Sequence, residues 1–325
     1  MDKRTAGGAG LTLALLSAAT FGTSGSFAAS LIEAGWTPGS AVTARVLTAA
    51  LLLTLPALLQ LRGKGALLRR SSRTLTVYGI AAVAGAQLCF FMAIAHLSVA
   101  VALLLEYSGA LLVVGYLWLR RGQRPGRLTV AGAALAIAGL GLVLELIGNA
   151  QLDPVGVLWG LGAAVGLATY FVLSAETEDA LPPLVVAWGG LVIGGTALAV
   201  AGVVGVLPLA APRTDVTLLD AEVSWFVPVL GLAVVAAAIA YVAGIFGARL
   251  LGAKVASFVG LTEVLFAVVF AWVLLGQSLG AQQLMGAALV VAGIALVRVD
   301  ELRRDDSAPV LTPHEDVATA QPVRS

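Results

Sequence analysis

Charge is scarce in this chain. Only 11% of its 325 residues are charged, against about 25% in an ordinary soluble domain. A soluble surface needs those charges, so soluble enzymes and nucleic-acid binders are excluded first. Cysteine is nearly missing. The single Cys89 rules out an intrachain disulfide and reads as a small apolar packing residue. Histidine occurs only as His96, in the tight turn between two apolar runs, and His314 near the C-terminus. Neither has a metal-ligand partner at suitable spacing, so no metal and no cofactor are expected. Catalytic signatures are absent as well. There is no H-E-x-x-H, no nucleophile elbow, no paired acidic metal motif and no G-x-x-x-x-G-K-[ST]. A membrane-embedded enzyme or a one-chain ATP-driven pump is therefore not expected.

What is present is apolar. Hydrophobic residues make up 59% of the chain, and mean hydropathy is +0.99. Disorder needs low hydrophobicity and drops out. The class that remains is a polytopic membrane protein in contact with the lipid bilayer. A spanning helix takes about 20 mostly apolar residues. The apolar runs are long and continuous, without the period-two alternation of a membrane barrel. Ten spans are expected, at 11–31, 38–60, 75–95, 98–119, 128–147, 155–174, 182–205, 224–246, 254–275 and 281–298. The expected fold class is all-α integral membrane. Residues 1–10 would be a short N-terminal segment, and 299–325 a disordered polar tail.

Lys and Arg accumulate on the cytoplasmic side of membrane proteins. With the N-terminus inside, seventeen of the nineteen basic residues fall on inner segments, chiefly 62–73, 120–127, 249–254 and 298–304. Only Arg213 falls outside, and Arg45 lies within span 2. A wrong span count would scramble this alternation, so both termini are expected in the cytoplasm. Arginine outnumbers lysine 16 to 3, and Ala and Gly abound. That composition fits a GC-rich bacterial genome and hence a bacterial plasma membrane. Lys3 and Arg4 ahead of Leu11, with Phe27-Ala28-Ala29 downstream, also resemble a signal peptide and its cleavage site. A retained first helix is preferred, because an internal repeat gives it a counterpart.

That repeat appears when the sequence is shifted by 154 residues. Trp118, Gly122, Gln123 and Gly126 fall on Trp272, Gly276, Gln277 and Gly280. Gly132 and Gly139 fall on Gly286 and Gly293. The repeats then cover 11–147 and 155–298, five spans each. Five is odd, so the second copy would enter the membrane inverted, the arrangement typical of secondary transporters.

Here the chain resembles the drug/metabolite transporter superfamily in its EamA branch. The resemblance is carried by Ala102-Leu-Leu-Leu-Glu106-Tyr107 and Leu261-Thr-Glu263-Val264. Each is followed by an apolar run ending in Trp118…Gly122-Gln123 or Trp272…Gly276-Gln277. It implies two inverted five-helix repeats and transport of a small metabolite, usually export and usually coupled to protons or another gradient. Family members often carry proline shortly after these glutamates. Ala110 and Val264 stand nearby here, so no proline-made kink is expected. The family's helix-end Gly-Glu is Gly-Gln in both repeats.

Three ionisable residues lie well inside the spans: Arg45, Glu106 and Glu263. A charge at a helix centre costs about 2.5–3.5 kcal/mol to insert, so such residues face a bundle interior or a water path. Glu106 lies about eight residues from the outer end of span 4, a depth of roughly 12 Å. Arg45 lies at similar depth in span 2, and the two are expected to pair. The pair would be either a structural ion pair, an outer gate, or a site taking a carboxylate at Arg45 and an amine at Glu106. Glu263 lies near the midplane with no basic residue close in sequence. It is a candidate proton carrier, or alternatively a neutral acid hydrogen-bonded in the packing. Under the repeat offset Glu106 projects onto Gly260, three residues from Glu263, so the two glutamates share nearly one face. Tyr107 and Tyr241, with Tyr116 and Tyr170, could add polar handles or simply pack. Trp36 and Trp225 read as interfacial belt residues. The expected function is a secondary transporter for an amino acid or similar metabolite. Alternatives are a passive facilitator, or a membrane assembly subunit that would not need the two glutamates. A homodimer is compatible with such a chain.

Overall fold

The computed structural model describes residues 3–97, 99–144, 153–176, 181–218, 221–275 and 280–306. The first half contains α1 (Lys3–Gly22), α2 (Ser24–Glu33), α3 (Pro38–Leu61), α4 (Gly65–Arg70) and α5 (Ser72–Val77). A π-helical segment, Tyr78–Gly85, leads into α6 (Ala86–Ile94), followed by α7 (Val99–Tyr107), α8 (Gly109–Arg121) and α9 (Arg127–Val143). The second half contains α10 (Pro154–Ser174), α11 (Pro183–Val203), strands β1 (Val216–Leu218) and β2 (Ala221–Val223), and α12 (Phe226–Ala233). A second π-helical segment, Val234–Ile239, leads into α13 (Ala240–Gly260), then α14 (Thr262–Leu275) and α15 (Ala281–Asp306). Among the described residues eight helical stretches are long and apolar enough to cross a membrane. The all-α expectation meets one small addition, an antiparallel hairpin with Val216 opposite Val223 and Thr217 opposite Glu222.

Local chemistry sets the helix ends. Thr37 is extended and accepts from Ser40 N at 3.3 Å, with Pro38 preset at the first helical position of α3. Asp153 does the same for α10, accepting from Val155 N at 2.8 Å ahead of Pro154. Gly122 ends α8 in the left-handed region at φ 66°, and both its N–H and that of Gln123 return to Leu117 O. Gly252, at φ 77° and ψ 158°, interrupts α13 and divides the apolar stretch Phe226–Gly260. Gly276 and Gln277, the second copy of the helix-end motif, lie outside the described residues.

The molecule is apolar outside and small-residued inside. Leu51, Leu119 and Val203 are 74%, 81% and 85% exposed, as lipid-facing side chains should be. The interior is dominated by alanine and glycine, which let backbones approach closely. Helix α9 runs along α15, α3 along α11, and α1 along α13. A methyl on Gly132 would lie 2.6 Å from the Gly293 carbonyl oxygen, and one on Gly286 2.6 Å from that of Gly139. Position 132 thus faces 293 while 139 faces 286, so α9 and α15 cross antiparallel.

The two ends of the bundle differ. At one, Arg121 pairs with Glu176 at 3.3 Å, Lys254 pairs with Glu301, and Arg249 Nη2 donates to Leu181 O at 2.6 Å. At the other, the Thr37 hydroxyl donates to Pro208 O at 2.8 Å, and His96 Nδ1 lies 3.0 Å from Asp153 Oδ2. Three expectations are corrected here. Helix α15 continues to Asp306 instead of giving way to a tail at 299, because Asp300 accepts from Thr129 Oγ1 at 2.7 Å and Glu301 holds Lys254. The rest of that tail, with His314, lies outside the described residues. Lys254, expected on the inner side at the very start of span 9, is buried within α13. Trp36 is no open belt residue. It is buried, its indole donates to Pro212 O at 2.8 Å, and it packs on Trp225 with ring centroids 5.9 Å apart.

Candidate functional site

A cavity of about 750 Å³ lies inside the bundle, with walls from both halves of the chain. It reaches the end of the bundle where α2 stops, α3 starts and α6 stops, since Ile32, Pro38 and Ile94 line it. Its walls are mostly apolar. The polar side chains on it are Ser17, Ser24, Arg45, Gln87, Glu106, Tyr107, Tyr170, Tyr241 and Glu263. All five residues singled out from sequence, Arg45, Glu106, Tyr107, Tyr241 and Glu263, therefore stand on one cavity. Tyr170 joins them, whereas Tyr116 is 39% exposed on the bundle exterior.

Helix interruptions position these groups. Arg45 comes from the middle of α3 and is buried. Its Nη1 donates to Ser24 Oγ at 2.6 Å, just past the break between α1 and α2. The expected Arg45–Glu106 ion pair is not formed within 4 Å. Arg45 turns to the hydroxyl and leaves its Nε without a partner. Glu106 and Tyr107 end α7, where Ser108 caps Leu105 O through its own hydroxyl at 2.5 Å. Glu263 is the second residue of α14, directly after the break at Leu261. Both breaks form without proline. In each, a hydroxyl beside the break donates back to a carbonyl three residues earlier, Thr262 Oγ1 reaching Val259 O at 2.7 Å.

Glu106 and Glu263 lie within electrostatic reach of each other, and both within reach of Arg45. Glu263 thus has a cation nearby, contributed by the other half of the chain, although its own sequence neighbourhood offers none. Tyr107 and Glu263 line the same cavity and lie within electrostatic reach of each other. An aromatic floor runs beneath. Tyr241 meets Phe21 edge-on at 5.1 Å and Tyr170 at 5.7 Å, and Tyr170 meets Phe171 at 4.9 Å. The buried Tyr170 hydroxyl has no hydrogen-bond partner. It fits only because position 244 is glycine: a methyl there would overlap its oxygen and come 2.7 Å from Ser17 Oγ. Ser17, Ser24 and Gln87 escaped sequence reasoning. Uncharged side chains in apolar helices carry no insertion penalty large enough to single them out. Gln87 alone had a signal, because the repeat offset places it on Tyr241. Among the described residues no cluster of three His, Cys, Asp or Glu could hold a metal ion.

Lipid-facing helices around an apolar cavity with a few converging charges define a membrane transport fold. The chain belongs to the EamA-like transporter family, whose model matches residues 8–145 and 154–299, one copy per half. That family is part of the drug/metabolite transporter superfamily. The protein is a multi-pass membrane transporter and not an enzyme. An uncharacterized inner membrane transporter, YicL of Salmonella typhimurium, is 23% identical over 243 residues, covering 74% of this chain and 77% of its own. An uncharacterized transporter of Archaeoglobus fulgidus is 28% identical over 207 residues, covering 64% and 70%. A protein crystal structure aligns over 92% of this chain and 99% of its own with a TM-score of 0.74, at 20% identity, a likeness of fold alone.

Proposed function

We propose that the protein is a secondary transporter that exports a small metabolite, an amino acid or similar molecule, across the plasma membrane in exchange for protons. The observation that carries this reading is the meeting of Glu106 and Glu263, one from each repeat, on a single apolar cavity with Arg45. A carboxylate of the cargo suits Arg45, whose Nε has no partner, and an amine suits Glu106. Glu263 is the proton carrier.

The same reading has ten passes in two inverted repeats, with both termini cytoplasmic. Its support is structural. Breaking Phe226–Gly260 at Gly252 and joining the second part to α14 makes two passes of one. Helix α9, 17 residues and so about 26 Å long, makes the remaining one. Helices α9 and α15 start 154 residues apart, the repeat offset, and cross antiparallel, as inverted copies would. Two such halves around one site give inward and outward openings of similar energy.

Reconstitution into proteoliposomes with an imposed pH gradient and a panel of the twenty radiolabelled amino acids tests the function. Gradient-driven movement of at least one is expected, and no movement of any overturns the amino-acid assignment. Single cysteines on a Cys89→Ala background test the orientation. Impermeant thiol reagents applied outside intact cells should label positions in 208–222 and spare those in 120–127, and labelling of 120–127 from outside overturns the topology.

A further inference from the structure

The two π-helical segments stand at matching places in the two repeats. Shifted by 154, Tyr78–Gly85 covers positions 232–239, and the second segment is Val234–Ile239. Each packs against the opposite half: the first on α10 and α11, the second on α1 and α3. The close fit is visible at Gly194, where a methyl would lie 2.9 Å from Gly79 O, and at Gly166, where one would lie 2.8 Å from Ala81 O. A π turn holds one residue more than an α turn, so the helix beyond it is rotated by roughly 100° relative to an unbroken α-helix. The second residue after each segment is Gln87 in one repeat and Tyr241 in the other, and these are repeat equivalents. Both line the cavity. Among the described residues no hydrogen bond engages the Gln87 amide or the Tyr241 hydroxyl.

We infer that Gln87 is a specificity-determining residue, the counterpart of Tyr241, and that the pair reads a hydroxyl or amide group on the transported molecule. The π turns aim both side chains at the cavity from opposite repeats. Together they offer donors and an acceptor to a neutral group that the charged residues leave unread. The inference rests on the cavity being the transport site.

The test uses full-length protein in proteoliposomes. On a Cys89→Ala background, Gln87→Cys and Tyr241→Cys should both react with an impermeant trimethylammonium methanethiosulfonate. Ala93→Cys, buried on the same helix as Gln87, should react at least about tenfold more slowly, as a position shielded from water must. Counterflow is then compared for L-threonine and L-valine, isosteres that differ by the hydroxyl. Gln87→Leu and Tyr241→Phe should each shift the threonine-to-valine rate ratio toward valine by roughly tenfold, because the partner of the hydroxyl is gone. An unreactive Gln87→Cys, or an unchanged ratio in Gln87→Leu, overturns the inference. Thiol reactivity at both positions with no transport of any amino acid by the unmodified protein overturns the amino-acid assignment instead, and this inference with it.

Discussion

The α9–α15 seam and the central cavity are both places where the two repeats meet, and they meet in opposite ways. At the seam, glycine faces glycine and backbone touches backbone. Thr129 binds Asp300 near one end and Gln282 reaches Leu142 O near the other. At the cavity the repeats stand apart, leaving about 750 Å³ into which Glu106, Glu263, Gln87 and Tyr241 project. The seam has almost no polar group without a role in packing, whereas the cavity keeps a buried Tyr170 hydroxyl and the Arg45 Nε without partners. Buried polar groups left unmatched are costly, so these two cavity groups cost the fold stability. The contrast separates residues that hold the repeats together from residues that act between them.

If that separation is right, cavity variants should lose transport while keeping the fold, and seam variants should do the reverse. The largest effect is expected from Glu263→Gln. It keeps the shape and hydrogen bonds of the neutral acid but cannot carry a proton. Accumulation driven by a pH gradient should fall to background while cargo exchange continues, and the thermal midpoint in detergent should hardly move. Glu263→Asp should retain part of the accumulation. Full gradient-driven accumulation by a well-folded Glu263→Gln protein would break the comparison on the cavity side.

On the seam side, Gly286→Leu forces a side chain against the Gly139 carbonyl and should cost about 3 kcal/mol in thermal unfolding. Gly141→Ala, in the same helix pair but with nothing within 4 Å of the added methyl, should instead stabilise slightly. Equal effects at the two glycines would contradict the backbone contact. Thr129→Val removes a buried hydrogen bond to Asp300 and should cost about 1.5 kcal/mol, read by the same melts, with transport by the folded fraction intact.

The smallest effect should come from the exposed pair between His96 and Asp153, at the entrance to the second repeat. The Val155 N–H, followed by His96, holds the Asp153 carboxyl below its ordinary range. A depressed carboxylate contributes stability above its unfolded pKa of about 3.9, and that contribution disappears as pH falls through the lower folded value. Melts of Asp153→Ala should therefore lie slightly below those of the unmodified protein near neutral pH and converge with them in acid. A gap that widens in acid would reverse the assignment.

Much of this molecule was legible in one dimension, for identifiable reasons. Lipid demands long apolar helices, and Lys and Arg collect at their cytoplasmic ends, so the helical stretches stand out from composition alone. The price of charge in a membrane singles out Arg45, Glu106 and Glu263 without any knowledge of their neighbours. Duplication leaves Trp118 and Trp272, and the paired seam glycines, at a fixed spacing. Other features were invisible because they depend on who faces whom. Arg45 chose Ser24 over Glu106, and Lys254 met Glu301 across many residues of chain. The π turns fall in runs of small apolar residues that read like any other helix, and only packing against the opposite repeat distinguishes them. The sequence by itself thus determined which residues are costly to place in a bilayer and that the chain crosses it repeatedly. Tertiary structure alone decided which polar groups share a cavity and which bind one another, because a hydrogen bond or ion pair depends on distances of a few ångströms between helices far apart in the chain.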